Sequence, residues 1–249
     1  HGLVKSIKFK NYKYIGDPIN AIRIFNEKEV DELILLDIDK SNKNQEPDYK
    51  IIEQIASECF MPLGYGGGIT NIEIIKNLFS VGVEKVILNS SIFDNPGIIK
   101  DAANIFGSQS IVASVDVKKN IFGKYEVYSF INREIFEKNI IAYVDKIISY
   151  GAGEIFLNSV NKDGMMDGYD YKLLSKVCSI ASIPVIACGG AGKIEHFSEA
   201  VRSGASAVAA GSIFIYHGPL KAVLINYPSQ EKIMTINAGR LLPSDGRLF

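Results

Sequence analysis

The chain has 249 residues, with 27 Lys and Arg against 28 Asp and Glu and a formal net charge of −1. That balance gives no electrostatic footprint for nucleic acid or an anionic membrane surface. Cys59, Cys178 and Cys188 are odd in number and scattered, which argues against a disulfide framework and for a reducing cytosol. They and the three histidines show no metal-ligand spacing, no cofactor motif is recognised, and no apolar run nears the roughly 20 residues of a membrane span.

In chain order, short apolar runs predict strands at Leu33–Asp37, Met61–Gly64, Lys85–Asn89, Ile111–Asp116, Glu154–Asn158, Pro184–Cys188 and Ala207–Gly211. Most are apolar throughout, as parallel strands covered on both faces are. Between them the pattern predicts helices near 17–29, 47–59, 71–80, 95–105, 138–150, 170–180, 193–203 and 217–225, with starts at Asp17-Pro18, Asn71 and Asn95-Pro96. This βαβα order is that of an α/β fold.

The chain repeats itself at a constant offset of about 122 residues, counted on the sequence. Glu32 pairs with Glu154, Lys40 with Lys162, Pro62 with Pro184, Gly67-Gly68 with Gly189-Gly190, and Ser90 with Ser212. Two half-barrels closing one (β/α)8 TIM barrel is the simplest reading. The expected domain is a single barrel over residues 1–228, followed by a C-terminal tail over 229–249. The repeat places the partner of the run ending at Asp116 ahead of His1, so the first of eight strands is expected to be missing from this chain.

The stretches "GYGGGIT" (Gly64 to Thr70) and "ACGGAGK" (Ala187 to Lys193) each follow a strand. The second is not a Walker A loop, because Ile194 stands where Ser or Thr is required. In a barrel, sites are built where strands end, and glycine lets backbone N–H groups approach an anion. Gly68 with Asn89-Ser90, and Gly190 with Gly211-Ser212, therefore form two candidate phosphate cradles on one mouth. Two cradles call for a substrate with a phosphate at each end.

Asp116 closes an apolar strand, where a carboxylate is costly to bury unless it faces the mouth; it is there either as a general acid or base or as a helix cap or loop anchor. Asp37 ends its strand in either a structural or a functional part. Asn158, Ser159 and Asn161 follow the run that starts at Glu154, and the loop "NKDGMMDGYD" holds Asp163-Gly164 and is either a site loop or a polar turn. Lys5 and Lys8 either close over a phosphate or stay solvated. Glu32, Lys85 and Glu154 begin their strands, hence lie at the barrel floor, as a salt-bridge plug or a gate. His196 and His217 receive no role.

Together "DELILLDIDKS", "MPLGYGGGI", "GVEKVILNS", "GAGEIFLNSVNKDGMMDGYD" and "IPVIACGGAGKIEHF" resemble the cyclase subunit of imidazole glycerol phosphate synthase, from about Leu3 to Phe214. The resemblance implies a heterodimer with a glutaminase subunit, whose ammonia enters at the floor and crosses the core. At the mouth it meets a bisphosphorylated ribotide, giving imidazole glycerol phosphate and an aminoimidazole carboxamide ribotide. It implies Asp116 as one of two acid–base aspartates, the other lying on the missing strand. It gives Gly68, Asn89 and Ser90 to one phosphate, and Gly164, Gly190, Gly211 and Ser212 to the other. Lys5 matches a flexible-loop lysine; Glu32, Lys85 and Glu154 match a charged ammonia gate. Asn158, Asn161 and Met165 depart from the Thr, Asp and Thr usual in the histidine-pathway enzyme. The ending "FIYHGPLKAVLINYPS" is similar to a divergent branch linked to amidation of surface-polysaccharide sugars. A sister isomerase barrel shares the cradles but needs no ammonia gate. A barrel that only docks and activates a glutaminase is the non-enzyme alternative.

Overall fold

The computed structural model describes residues 2–43, 45–218 and 220–238. A hairpin of β1 (Leu3–Ile7) and β2 (Lys10–Gly16) precedes α1 (Pro18–Glu27). There follow β3 (Leu33–Leu36), α2 (Ile38–Asn42), α3 (Tyr49–Glu58), β4 (Leu63–Gly66), α4 (Ile72–Ser80), β5 (Lys85–Leu88), α5 (Ser90–Asp94) and α6 (Gly97–Phe106). The second half runs β6 (Ile111–Lys119), β7 (Tyr125–Ser129), β8 (Glu134–Glu137), α7 (Ile140–Ser149), β9 (Glu154–Ser159), α8 (Tyr171–Cys178), β10 (Val185–Cys188), α9 (Ile194–Arg202) and β11 (Ala207–Val208). It ends with α10 (Ser212–Ile215), β12 (Tyr216–His217), β13 (Ala222–Val223) and α11 (Gln230–Ala238).

Seven strands form one parallel path in the order β11-β10-β9-β6-β5-β4-β3, in a TIM-barrel-type α/β fold. All seven predicted runs lie on it. Among the described residues β3 and β11 end the path without pairing to each other. The repeat is kept in the elements themselves: α4 and β4, moved by the sequence offset, give the bounds of α9 and β10.

Local chemistry sets the helix starts. Asp17 accepts from the Asn20 N–H with Pro18 in the first turn, and Asn71 accepts from the Ile74 N–H. Helix faces and outer strand faces share one core that includes Ile75, Leu78, Ile99, Ile111, Val144 and Ile155, all essentially unexposed. Each such side chain contributes roughly 1.5–3 kcal/mol by leaving water. Helix α11 lies against α9, and Ile236 is buried in that core. Residues 239–249 of the expected tail lie outside the described residues.

The helix expected over 217–225 is not there. β12 and β13 pair antiparallel instead, Tyr216 with Val223 and His217 with Ala222. Gly218 at φ 68° and Lys221 at φ 49° reverse the chain, and the Lys221 N–H donates to the Gly218 carbonyl at 3.1 Å. Left-handed residues so close together do not sit in a helix. Two further hairpins, β1–β2 and β7–β8, were not among the predicted elements.

Candidate active site

Alternation along the strands stacks the inner wall in three layers. On β5 the inward residues are Lys85, then Ile87, with Asn89 just beyond; on β9 they are Glu154, Phe156 and Asn158. On β6, Val112 lies opposite Ile87, and Ser114 and Asp116 lie opposite Phe156 and Asn158 in the pairing register. The first layer is the floor, the second a small apolar cluster, the third the mouth.

At the floor, Lys85 Nζ donates to Glu32 Oε2 at 3.0 Å and to Glu154 Oε1 and Oε2 at 3.0 and 3.1 Å. Burial pulls the Lys85 pKa down, but the hydrogen bonds with Glu154 and Glu32 outweigh it and hold the ammonium above its usual value. The three predicted floor residues thus form one charged ring. Above it, Ile87, Val112, Phe156 and Ile186 are buried together, with Ile34 and Ala209 packed against them.

At the mouth Asp116 is 8% exposed. Its Oδ1 accepts from Asn158 Nδ2 at 3.1 Å, and its Oδ2 from Asn89 Nδ2 at 3.0 Å. Burial pushes the carboxyl up to about 7, against those two amide hydrogen bonds, and Asp163 adds to the rise. An acid poised near neutrality suits proton transfer in either direction. Asn89, expected on a phosphate, gives its amide to Asp116 and to the Ser114 carbonyl at 3.2 Å. Cys188, at the end of β10, has its thiol pushed up to about 12, first by burial, with Lys5 pulling the other way. It is therefore no thiolate nucleophile.

The Gly68 N–H donates to Ser41 Oγ at 3.1 Å, and Ser90, which follows Asn89 in the chain, opens α5. Asp37 caps α2, accepting from the Asp39 and Lys40 N–H groups. Across the mouth, Gly164 and Ser212 line a cavity of about 160 Å³ with Lys5. Gly190 at φ 116° lies where a Cβ would run into the Gly168 carbonyl, so only glycine fits. Ser159, 4% exposed, starts the turn: its carbonyl accepts from the Lys162 and Asp163 N–H groups. Asp163 then pins the β1–β2 hairpin, accepting from Ser6 Oγ at 2.9 Å and the Phe9 N–H at 3.3 Å. Lys8 sits at the hairpin turn with its N–H on the Asp163 carbonyl.

Residues 2–221 match the family described as "Histidine biosynthesis protein". The chain belongs to that histidine biosynthesis family. It is 50% identical over 233 residues to a Pseudomonas aeruginosa protein provisionally named imidazole glycerol phosphate synthase subunit hisF2, covering 93% of each chain. It is 49% identical over 233 residues to a Vibrio vulnificus protein provisionally named subunit hisF3 of the same synthase, covering 93% of this chain and 90% of that one. It is 43% identical over 214 residues to an Endomicrobium trichonymphae protein named imidazole glycerol phosphate synthase subunit HisF, covering 86% and 82%.

In this member of the histidine biosynthesis family, His196, given no role from sequence, is buried and supports the mouth. Its Nδ1 accepts from the Gly192 N–H at 3.2 Å, fixing the turn after β10. Gly211 offers a direct test of the second candidate cradle. A Cβ there would lie 2.6 Å from Lys5 Nζ. Gly211→Ala should push Lys5 out of the cavity and weaken inorganic phosphate binding by about 10-fold or more, the scale of one charge-assisted hydrogen bond. Calorimetry with phosphate measures this; unchanged affinity would show that Lys5 is no ligand.

Proposed function

We propose that the chain is the ammonia-dependent cyclase and lyase subunit of a glutamine amidotransferase of the imidazole glycerol phosphate synthase type. It acts in the cytoplasm, in a heterodimer with a glutaminase, on a bisphosphorylated ribotide. The observation that carries this is the axis: a charged ring at the floor, an apolar middle, and a near-neutral carboxyl at the mouth. Ammonia is small and neutral, so an apolar middle lets it pass and excludes ions. At the mouth Asp116 gives and takes the protons that cleavage and ring closure require, while the two cradles hold the phosphates apart.

With its first strand completed, the protein mixed with its glutaminase and the ribotide should yield the imidazole product from glutamine, and from ammonium without the glutaminase. Glu154→Gln weakens the charge on one side of Lys85. Glutamine-driven turnover should then fall several-fold while ammonium-driven turnover stays near that of the parent. An equal fall in both would remove the gate from the mechanism.

Asn158 favours a second reading. It stands where the resembled ribotide cyclases carry Thr, and its amide holds Asp116. That change at the reacting end of the mouth fits a divergent paralogue that supplies ammonia for amidation of a surface-polysaccharide sugar. A parent protein that stimulates its glutaminase yet leaves the ribotide untouched would support this reading, or the docking-only one, over the first.

A further inference from the structure

Two hairpins meet over the Gly164–Ser212 end of the mouth. The β1–β2 hairpin brings Lys5 and Lys13, and the β12–β13 hairpin brings Tyr216 and Lys221; all four line the same cavity as Gly164 and Ser212. Asn11 completes the polar wall. Among the described residues no carboxylate lines it. None of the three lysines forms an ion pair among the described residues. Lys13 Nζ sits 5.6 Å from the centre of the Tyr216 ring, so a cation–π contact already joins one hairpin to the other.

Three ammonium groups around about 160 Å³ repel one another. An anion in the cavity turns that repulsion into attraction, and it is focused because the surrounding wall is protein rather than water. The opposite cradle is built differently. The Gly68 N–H is taken by Ser41, and the Asn89 amide by Asp116 and Ser114. The backbone repeat makes the two cradles alike, but neither Lys13 nor Lys221 has a lysine counterpart at the repeat offset.

We propose that Lys13 and Lys221 are phosphate ligands that join Lys5 in a three-lysine clamp, closing the two hairpins on one phosphate monoester end of the substrate and so fixing which way round the bisphosphate lies. This rests on the proposed function for the bisphosphate. The clamp itself is read from the cavity. A phosphate monoester carries close to two negative charges at neutral pH, which suits several lysines better than one. The N–H cradle supplies direction and the lysines supply charge.

The test is calorimetry of the full-length chain with inorganic phosphate. The parent should show a tighter and a weaker site. Lys13→Ala and Lys221→Ala should each weaken the tighter site by about 10-fold, and the double variant by about 100-fold, on the scale of hydrogen bonds to charged groups. Lys221→Arg should stay within about 3-fold, since its charge is kept. Lys124→Ala, on the β6–β7 turn away from this cavity, should change nothing. Phosphate should also protect both hairpins from limited proteolysis in the parent and fail to do so in the double variant. Circular dichroism melts confirm folding; if Lys221→Ala does not fold, Lys221→Gln takes its place. Equal phosphate affinity in parent and double variant would overturn the clamp, as would a loss that falls only on the weaker site. If instead the clamp holds and no ribotide is turned over, the functional reading fails alone.

Discussion

Replacing Asp116 with Asn should lower ammonium-dependent turnover by about 10²–10⁴-fold, the usual worth of a positioned acid or base. The substitution keeps the size of the side chain and leaves a hydrogen-bonding group between Asn89 and Asn158. It removes the titrating proton and turns one acceptor oxygen into an N–H donor, which Asn158 meets by turning its unpartnered Oδ1 toward it. KM for the ribotide should therefore change little, because the phosphates are held elsewhere. The pH profile is the sharper readout. With the Asp116 carboxyl pushed up to about 7, the parent's kcat/KM should turn near neutral pH, and that inflection should vanish in the variant. A variant as active as the parent, or one that keeps the inflection, would take Asp116 out of the chemistry.

The strands of this barrel were legible because burial on two faces writes a continuous apolar run. Each run is flagged again by its partner in the other half. The floor ring was legible for a related reason: a charged residue opening such a run has only one place to go. The hairpins were harder. In β7 and β8 the residues alternate over only a few positions, and Tyr125 to Ser129 reads equally well as loop. The stretch after Phe214 has enough apolar residues for a helix, but the reversal at Gly218 and Lys221 decides against it, and a positive φ at lysine leaves no mark in sequence.

The candidate site was legible residue by residue but not in its partnerships. Asn89 follows a strand beside Ser90, and that position alone fits a phosphate ligand. Only the folded chain shows its amide reaching across from β5 to the Asp116 carboxyl on β6. Asp163, seen as part of a polar loop, proved to fasten the first hairpin through Ser6 and Phe9, contacts that span most of the chain. Lys13 and Lys221 carry no mark in sequence, because a solvated lysine and a clamping lysine look the same until the fold brings them to one cavity.

The same substitution should raise the stability of the protein in alkaline solution. In the folded chain the Asp116 carboxyl is pushed from its ordinary 3.8 to about 7, first by burial. Between those values the folded state holds a proton that the unfolded state has lost, so stability falls as pH rises. The contribution of the neutral carboxyl is fully present below about 4 and is gone once the pH has passed through about 7. At about 1.4 kcal/mol for each pH unit, the whole swing is about 4 kcal/mol at most. Asn has no proton to lose. Asp116→Asn should therefore gain on the parent by up to that amount at pH 8, with the gain shrinking steadily toward pH 4. Urea unfolding of both proteins at several pH values measures the difference, and the other carboxylates cancel because both chains carry them. A difference that does not change with pH would mean that Asp116 ionises as freely in the folded chain as in the unfolded one. A gain that builds between about pH 4 and 7 and then levels off, from a change that lowers turnover, is what a carboxyl kept buried for its chemistry should show.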